Sequence, residues 1–124
     1  MTPRSSSGPV RTLHVDIEGG FGGSSRSLHE LIRRLDRTRV APFVAHRQQG
    51  PVVGRYRALG VPTALVPEMV SFVPRQGKGL RNFVATLPAL TRLWRAADRL
   101  ATLARAHRAE VIHLNYEGLV LLAP

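Results

Sequence analysis

Apolar positions along the chain switch between two periods, and the switches divide it into strands and helices. Residues 12–17 are a short run with β-branched side chains that ends at glycine, which predicts a strand. Residues 19–25 supply a turn. Leu28, Leu31, Ile32 and Leu35 then recur at helical spacing and mark one face of a helix. Ser27 and Glu30 have capping-box spacing at its start, although Ser24 serves equally well as a first residue. Arg33, Arg34 and Arg37 stand near its end, where the helix dipole favours cations.

The alternation repeats. Residues 43–46 read as a second strand, with Pro42 acceptable only at its start or on an edge. Residues 51–59 form a short helix with Pro51 in its first turn and Gly60 just past its end. Residues 61–66 are a third strand, and residues 68–79, rich in proline and glycine, a long loop. Leu87, Leu90, Leu93, Trp94, Ala97, Leu100, Leu103 and Ala104 make a helical stripe, in which Trp94 is expected to be core. Pro88 is expected in the first turn, since mid-helix it costs about 3 kcal/mol. Residues 111–114 are a fourth strand, and residues 119–123 begin another apolar segment.

Strands separated by helices predict parallel βαβ units. Right-handed crossovers then give an α/β, Rossmann-like parallel sheet with flanking helices and strand order 3-2-1-4. Four strands are few for this architecture. Residues 1–11, with three serines and two prolines, read as a disordered tail, and residues 12–124 as one domain.

Composition narrows the setting. Hydrophobic residues make up 44% of the 124, enough for a core, and cysteine is absent, so disulfides and thiolate metal sites are excluded. No apolar run approaches the roughly 20 residues of a membrane span. The start of the chain lacks the apolar stretch of a secretory signal, and a cytoplasmic location is the default expectation. Eighteen basic residues oppose eight acidic ones, a net charge of +10. That balance attracts polyanions, but the arginines are scattered from Arg4 to Arg108, which makes nucleic acid an unfavoured partner. Arg92, Arg95 and Arg99 share one helical side. They read first as a solvated row and second as a peripheral contact for an anionic membrane.

Two stretches carry candidate chemistry. Gly19-Gly20-Phe21-Gly22-Gly23-Ser24-Ser25 joins the first strand to the first helix. A glycine loop there brings bare backbone N–H groups to a phosphate at the positive end of a helix, and a Cβ would obstruct that approach. The dinucleotide fingerprint fails because Ser25 stands where its third glycine belongs, and no Gly-Lys-Ser/Thr follows to make an ATPase loop. A plain βα turn is the alternative. In the second stretch, His113 and Asn115 alternate with apolar residues, so they share one face near the carboxyl end of the fourth strand. Ligands of open α/β sheets bind outside those strand ends. With the fourth strand beside the first, Asn115, Tyr116 and Glu117 would face the glycine loop. A hydrogen-bonded structural role is the alternative for His113. His14 and Asp16, on one face of the first strand, read as structural, either buried and satisfied or merely at the strand end. His29, His46 and His107 lack metal-ligand spacing, so no metal site is expected.

Leu13-His14-Val15 followed by Glu18-Gly19-Gly20, then Ser24-Ser25-Arg26-Ser27-Leu28 and Leu31, resembles the opening of retaining family-four glycosyltransferases, which have two Rossmann-like domains (the GT-B fold). The resemblance continues through Arg57-Ala58-Leu59-Gly60-Val61-Pro62 and ends at Val111-Ile112-His113-Leu114-Asn115, close to the family's Asp-Val-Val-His-x-His segment. It implies the acceptor-side, N-terminal domain of an enzyme that moves a sugar from a nucleotide diphosphate sugar to an acceptor with retained configuration. The nucleotide sugar is then a substrate, and no further cofactor is implied. By position, Gly19, Gly20, Gly22, Gly23 and Ser24 match the loop beside the donor diphosphate and acceptor, and His113 the first histidine of the strand-end motif. Asn115 replaces the second histidine, and Glu110 stands where aspartate is usual. The family's donor-binding domain with its paired glutamates has no counterpart in these residues, so the chain is expected to be a fragment, inactive by itself, whose partner is that domain. No residue reads as a catalytic nucleophile. Two other classes remain open: a basic, non-enzymatic polyanion-binding α/β module, and a nucleotide-cofactor oxidoreductase domain.

Overall fold

A computed structural model of the chain describes residues 8–17, 20–69 and 80–115, with side chains described from residue 88 onward in the last segment except at residue 89. The elements are β1 (Val10–Asp16), α1 (Gly23–Arg34), β2 (Val40–His46), α2 (Pro51–Ala58), β3 (Thr63–Leu65), α3 (Leu80–Ala106) and β4 (Val111–Leu114). All strand pairs are parallel and the order is β3-β2-β1-β4, the Rossmann-like arrangement expected from the alternation. Of the tail expected at residues 1–11, residues 1–7 lie outside the described residues, whereas Val10 and Arg11 are not tail but open β1, paired in register with Val40 and Ala41 of β2. The apolar segment at 119–123, and Tyr116 and Glu117, lie outside the described residues, as does most of the loop expected at 68–79.

The strand period sorts side chains onto two faces. Leu13, Val15, Ile17, Phe43 and Ala45 pack beneath α3 with Ala96 and Leu100. Val44 lies on the other face with Leu28 and Ile32 of α1 and Val52, Val53 and Tyr56 of α2. Both faces of the sheet are therefore covered, as parallel sheets require. The alternate positions of β1 and β4 on the α1 side are His14, Asp16 and His113, where an apolar core would be the simpler solution.

Several boundaries differ from the sequence expectations for physical reasons. Helix α1 starts more than a turn before the Ser27–Glu30 capping box, with Gly22 as N-cap and no side-chain cap. The box does not form because Ser27 lies inside the helix, and Glu30 pairs instead with Arg33 and Arg34 at 2.7 Å each. Strand β2 begins before Pro42, which is tolerated because β3 pairs only from Val44 onward, so β2 is locally an edge at Pro42. Pro88 sits inside α3 and not in its first turn; its ring is exposed and meets solvent, not core. Trp94 is not core. It is 77% exposed, because the stripe that includes Leu90 and Trp94 is wider than the arc around Ala96 and Leu100 that the sheet covers. Leu31 is likewise exposed while Leu28 and Ile32 are buried.

Two helix ends share one geometry. At the end of α2, Gly60 has φ of 72°, its N–H bonds Arg57 O, and Val61 N–H bonds Tyr56 O, a Schellman motif. At the end of α3 the same pair runs from Arg108 N–H to Arg105 O and from Ala109 N–H to Ala104 O, with Arg108 at φ of 52°. Arginine occupies the left-handed position that glycine fills in α2.

Candidate functional site

The carboxyl ends of β1, β2 and β4 and the start of α1 meet at one edge of the sheet. The first intrahelical bond of α1 runs from Arg26 N–H to Gly22 O at 2.9 Å, so the amides of Gly23, Ser24 and Ser25 precede it. No acidic residue lies in this first turn. Gly20 and Gly23 would place a Cβ in open space, and neither has positive φ. Among the described residues nothing therefore demands glycine at these two positions. The space they leave faces outward. Gly19 lies outside the described residues.

Asn115, just past β4, is held by its own N–H to Val15 O at 3.1 Å, and its side-chain amide donates to Ser24 O at 2.9 Å. The end of β4 is thereby stitched to the glycine loop at the head of α1, as the topology required. His113 does not reach the loop. Its Nδ1 lies 3.1 Å from Nδ1 of its register partner His14, whose Nε2 is 2.9 Å from Thr12 Oγ1. Only one hydrogen can occupy the bond between the two rings, so the pair is compatible with two neutral imidazoles and not with two cations. Burial, then the His113 ring and the Arg37 cation, push the His14 pKa down to about 4.

Beneath the loop lies a polar cluster. Asp16 is wholly buried and accepts from Ser25 Oγ at 3.0 Å and from Tyr56 Oη at 2.7 Å. Burial and the adjoining carboxylate hold the Tyr56 hydroxyl well above its usual pKa, so it remains a donor. His46, the register partner of Asp16, is also wholly buried; its Nδ1 donates to Gln48 O at 3.1 Å, which fixes the tautomer. Burial lowers its pKa, and its Nε2 has no hydrogen-bond partner among the described residues. Ser24 Oγ is likewise buried without one.

The structure thus brings Gly22, Gly23, Ser24 and Asn115 together, with Gly20 on the exposed approach and His113 one step deeper in the sheet. The sequence reading missed Tyr56 and Ser25 as partners of Asp16. The available signal was a tyrosine on the buried face of a short helix, since a buried phenol needs a hydrogen-bond partner. Phe21, Arg26 and Arg55 were also missed; they converge beside the loop from three segments. Arg92, Arg95 and Arg99 are exposed, as expected of a solvated row, and Arg99 donates to Leu65 O at 3.3 Å. Among the described residues no helix is long and apolar enough to cross a membrane, and no three acidic, histidine or cysteine side chains could hold a metal ion.

Comparison of the chain with protein-family models, with curated proteins and with solved structures returns no match.

Proposed function

We propose that the chain is the acceptor-side Rossmann-like domain of a retaining glycosyltransferase, in which the glycine loop at the head of α1 faces the diphosphate of a nucleotide sugar. The observation that carries this reading is the Asn115 side-chain bond to Ser24 O. It brings two separate stretches of family resemblance, the opening glycines and the strand-end segment, to one point at the carboxyl edge of the sheet. There the first-turn amides of α1, with no acidic residue among them, suit an anion. Hydrogen-bond donors aimed at a leaving phosphate stabilise charge as it develops and need no nucleophile from this domain. The gripping of the nucleotide and the turnover itself are assigned to the second domain of the intact enzyme.

Titration of the chain with UDP-glucose and GDP-mannose, followed by amide NMR, tests the reading. The expected result is movement of the Gly20, Gly22 and Gly23 amides and of the Asn115 side-chain amide, with no sugar transfer by the chain alone. Absence of any shift at these positions up to about 10 mM, a generous ceiling for a site worth roughly 3 kcal/mol, would overturn it. So would an equal response to heparin that vanishes for every ligand near 0.2 M salt, on the order expected of non-specific polyanion binding.

A further inference from the structure

Phe21 lies inside the glycine loop, and three groups converge on its ring. His29 of α1 meets it edge-on with centroids 5.9 Å apart. The guanidinium carbon of Arg26, in the first turn of α1, is 4.9 Å from the ring centroid, and that of Arg55, on α2, is 4.0 Å from it. Both arginines are exposed, and neither guanidinium has a hydrogen-bond or ion-pair partner among the described residues. Glu30, the acidic residue of α1, is taken by Arg33 and Arg34. Two like charges on one ring repel each other, and the negative face of the ring only partly offsets that repulsion. What remains is a pair of preoriented planar forks with unused N–H donors, a geometry that matches phosphate oxygens.

The two flanks of the loop therefore differ. Toward β4 it offers the neutral Asn115 amide; toward α2 it offers two cations. Each phosphate of a nucleotide diphosphate sugar is a diester-like group with one charge, whereas a phosphomonoester carries about −1.5 to −2 near neutral pH. The second matches a paired guanidinium better.

We propose that Phe21, Arg26 and Arg55 form a clamp for a phosphomonoester carried by the acceptor, distinct from the glycine amides assigned to the donor diphosphate. The assignment to an acceptor rests on the glycosyltransferase reading.

The probes are glucose 6-phosphate, glucose, and vesicles of phosphatidic acid in phosphatidylcholine, with NMR of the Phe21 ring protons and the Arg26 and Arg55 Nε–H groups as readout. Glucose 6-phosphate should move these signals and glucose should not. Arg26→Gln and Arg55→Gln should each weaken that binding about tenfold, as loss of a charge-assisted contact implies. Phe21→Leu should weaken it severalfold by freeing the guanidiniums, and amide spectra report whether each variant is folded. A response to the vesicles alone would make the ligand a lipid headgroup and overturn the proposal. No response to glucose 6-phosphate, with nucleotide-sugar shifts at Gly22 and Gly23 lost in the arginine variants, would place the cations on the donor diphosphate, which overturns the clamp and leaves the glycosyltransferase reading standing. Binding of glucose 6-phosphate without any nucleotide-sugar response would leave a phosphate clamp and overturn its assignment to an acceptor.

Discussion

Tyr56 donates its phenolic hydrogen to Asp16 Oδ2 at 2.7 Å across 40 residues of sequence, and both residues are wholly buried. The bond joins α2 to the end of β1 just beneath the glycine loop, and Ser25 holds the other carboxylate oxygen from the first turn of α1. Removing the phenol hydroxyl leaves a buried carboxylate short of a donor, which costs about 1.5–3 kcal/mol for a hydrogen bond to a charged group. Tyr56→Phe should therefore lower the unfolding free energy by that amount, read as a lower urea midpoint at unchanged slope. Asp16→Ala should cost more, since two donors are orphaned at once. A Tyr56→Phe midpoint equal to that of the parent chain would show that the bond contributes nothing.

The His14–His113 pair makes stability depend on pH. The folded pKa of His14 is about 4, below its usual 6.5, so the unfolded chain binds the extra proton between these values. Stability is then full above about pH 6.5 and falls as pH drops toward 4, by on the order of 2 kcal/mol after discounting for water near a two-ring pair. His46, also lowered by burial, acts in the same direction. Denaturation curves at pH 7 and pH 4.5 should differ accordingly. His113→Gln should raise the His14 titration midpoint in an NMR titration; a midpoint near 6.5 in the parent chain would refute the shift.

Arg108→Gly should stabilise the chain. A non-glycine residue in the left-handed region costs about 1–2 kcal/mol, and glycine gives back part of that gain through the greater freedom of the unfolded chain. The expected net gain is about 0.5–1 kcal/mol by urea denaturation, with no change in the circular dichroism spectrum.

Asn115→Ala should loosen the link between β4 and the head of α1. The loss is about 1 kcal/mol, as for one neutral hydrogen bond. Because β4 lies at the edge of the sheet, its amides should exchange faster while those of β2 are unchanged. Uniform acceleration across the sheet would mean that the bond supports the whole fold and not this edge.

The layering of the chain was legible because it rests on local rules. The period-two runs of β1 and β4, the 3.6 spacing in α1, Pro51 and Gly60 around α2, and the right hand of the crossovers lead directly to the order β3-β2-β1-β4. The same rules put His113 and Asn115 on the side of the sheet that faces the glycine loop. Trp94 shows where they stop. Periodicity marks an apolar stripe but not how much of it the sheet is wide enough to cover, and the sheet under α3 leaves Trp94 in solvent.

What only the tertiary structure decided is the set of contacts between residues far apart in the chain. Asp16 with Tyr56 and Ser25, His14 with His113, Asn115 with Ser24, and the two arginines on Phe21 each depend on how two elements are rotated and offset when they pack. Spacing within one segment carries no information about that offset. The sequence by itself therefore determined the elements, their order and the edge of the sheet at which the glycine loop and the end of β4 meet. Packing across α1, α2 and β4 determined which polar groups at that edge are spent on one another and which stay exposed.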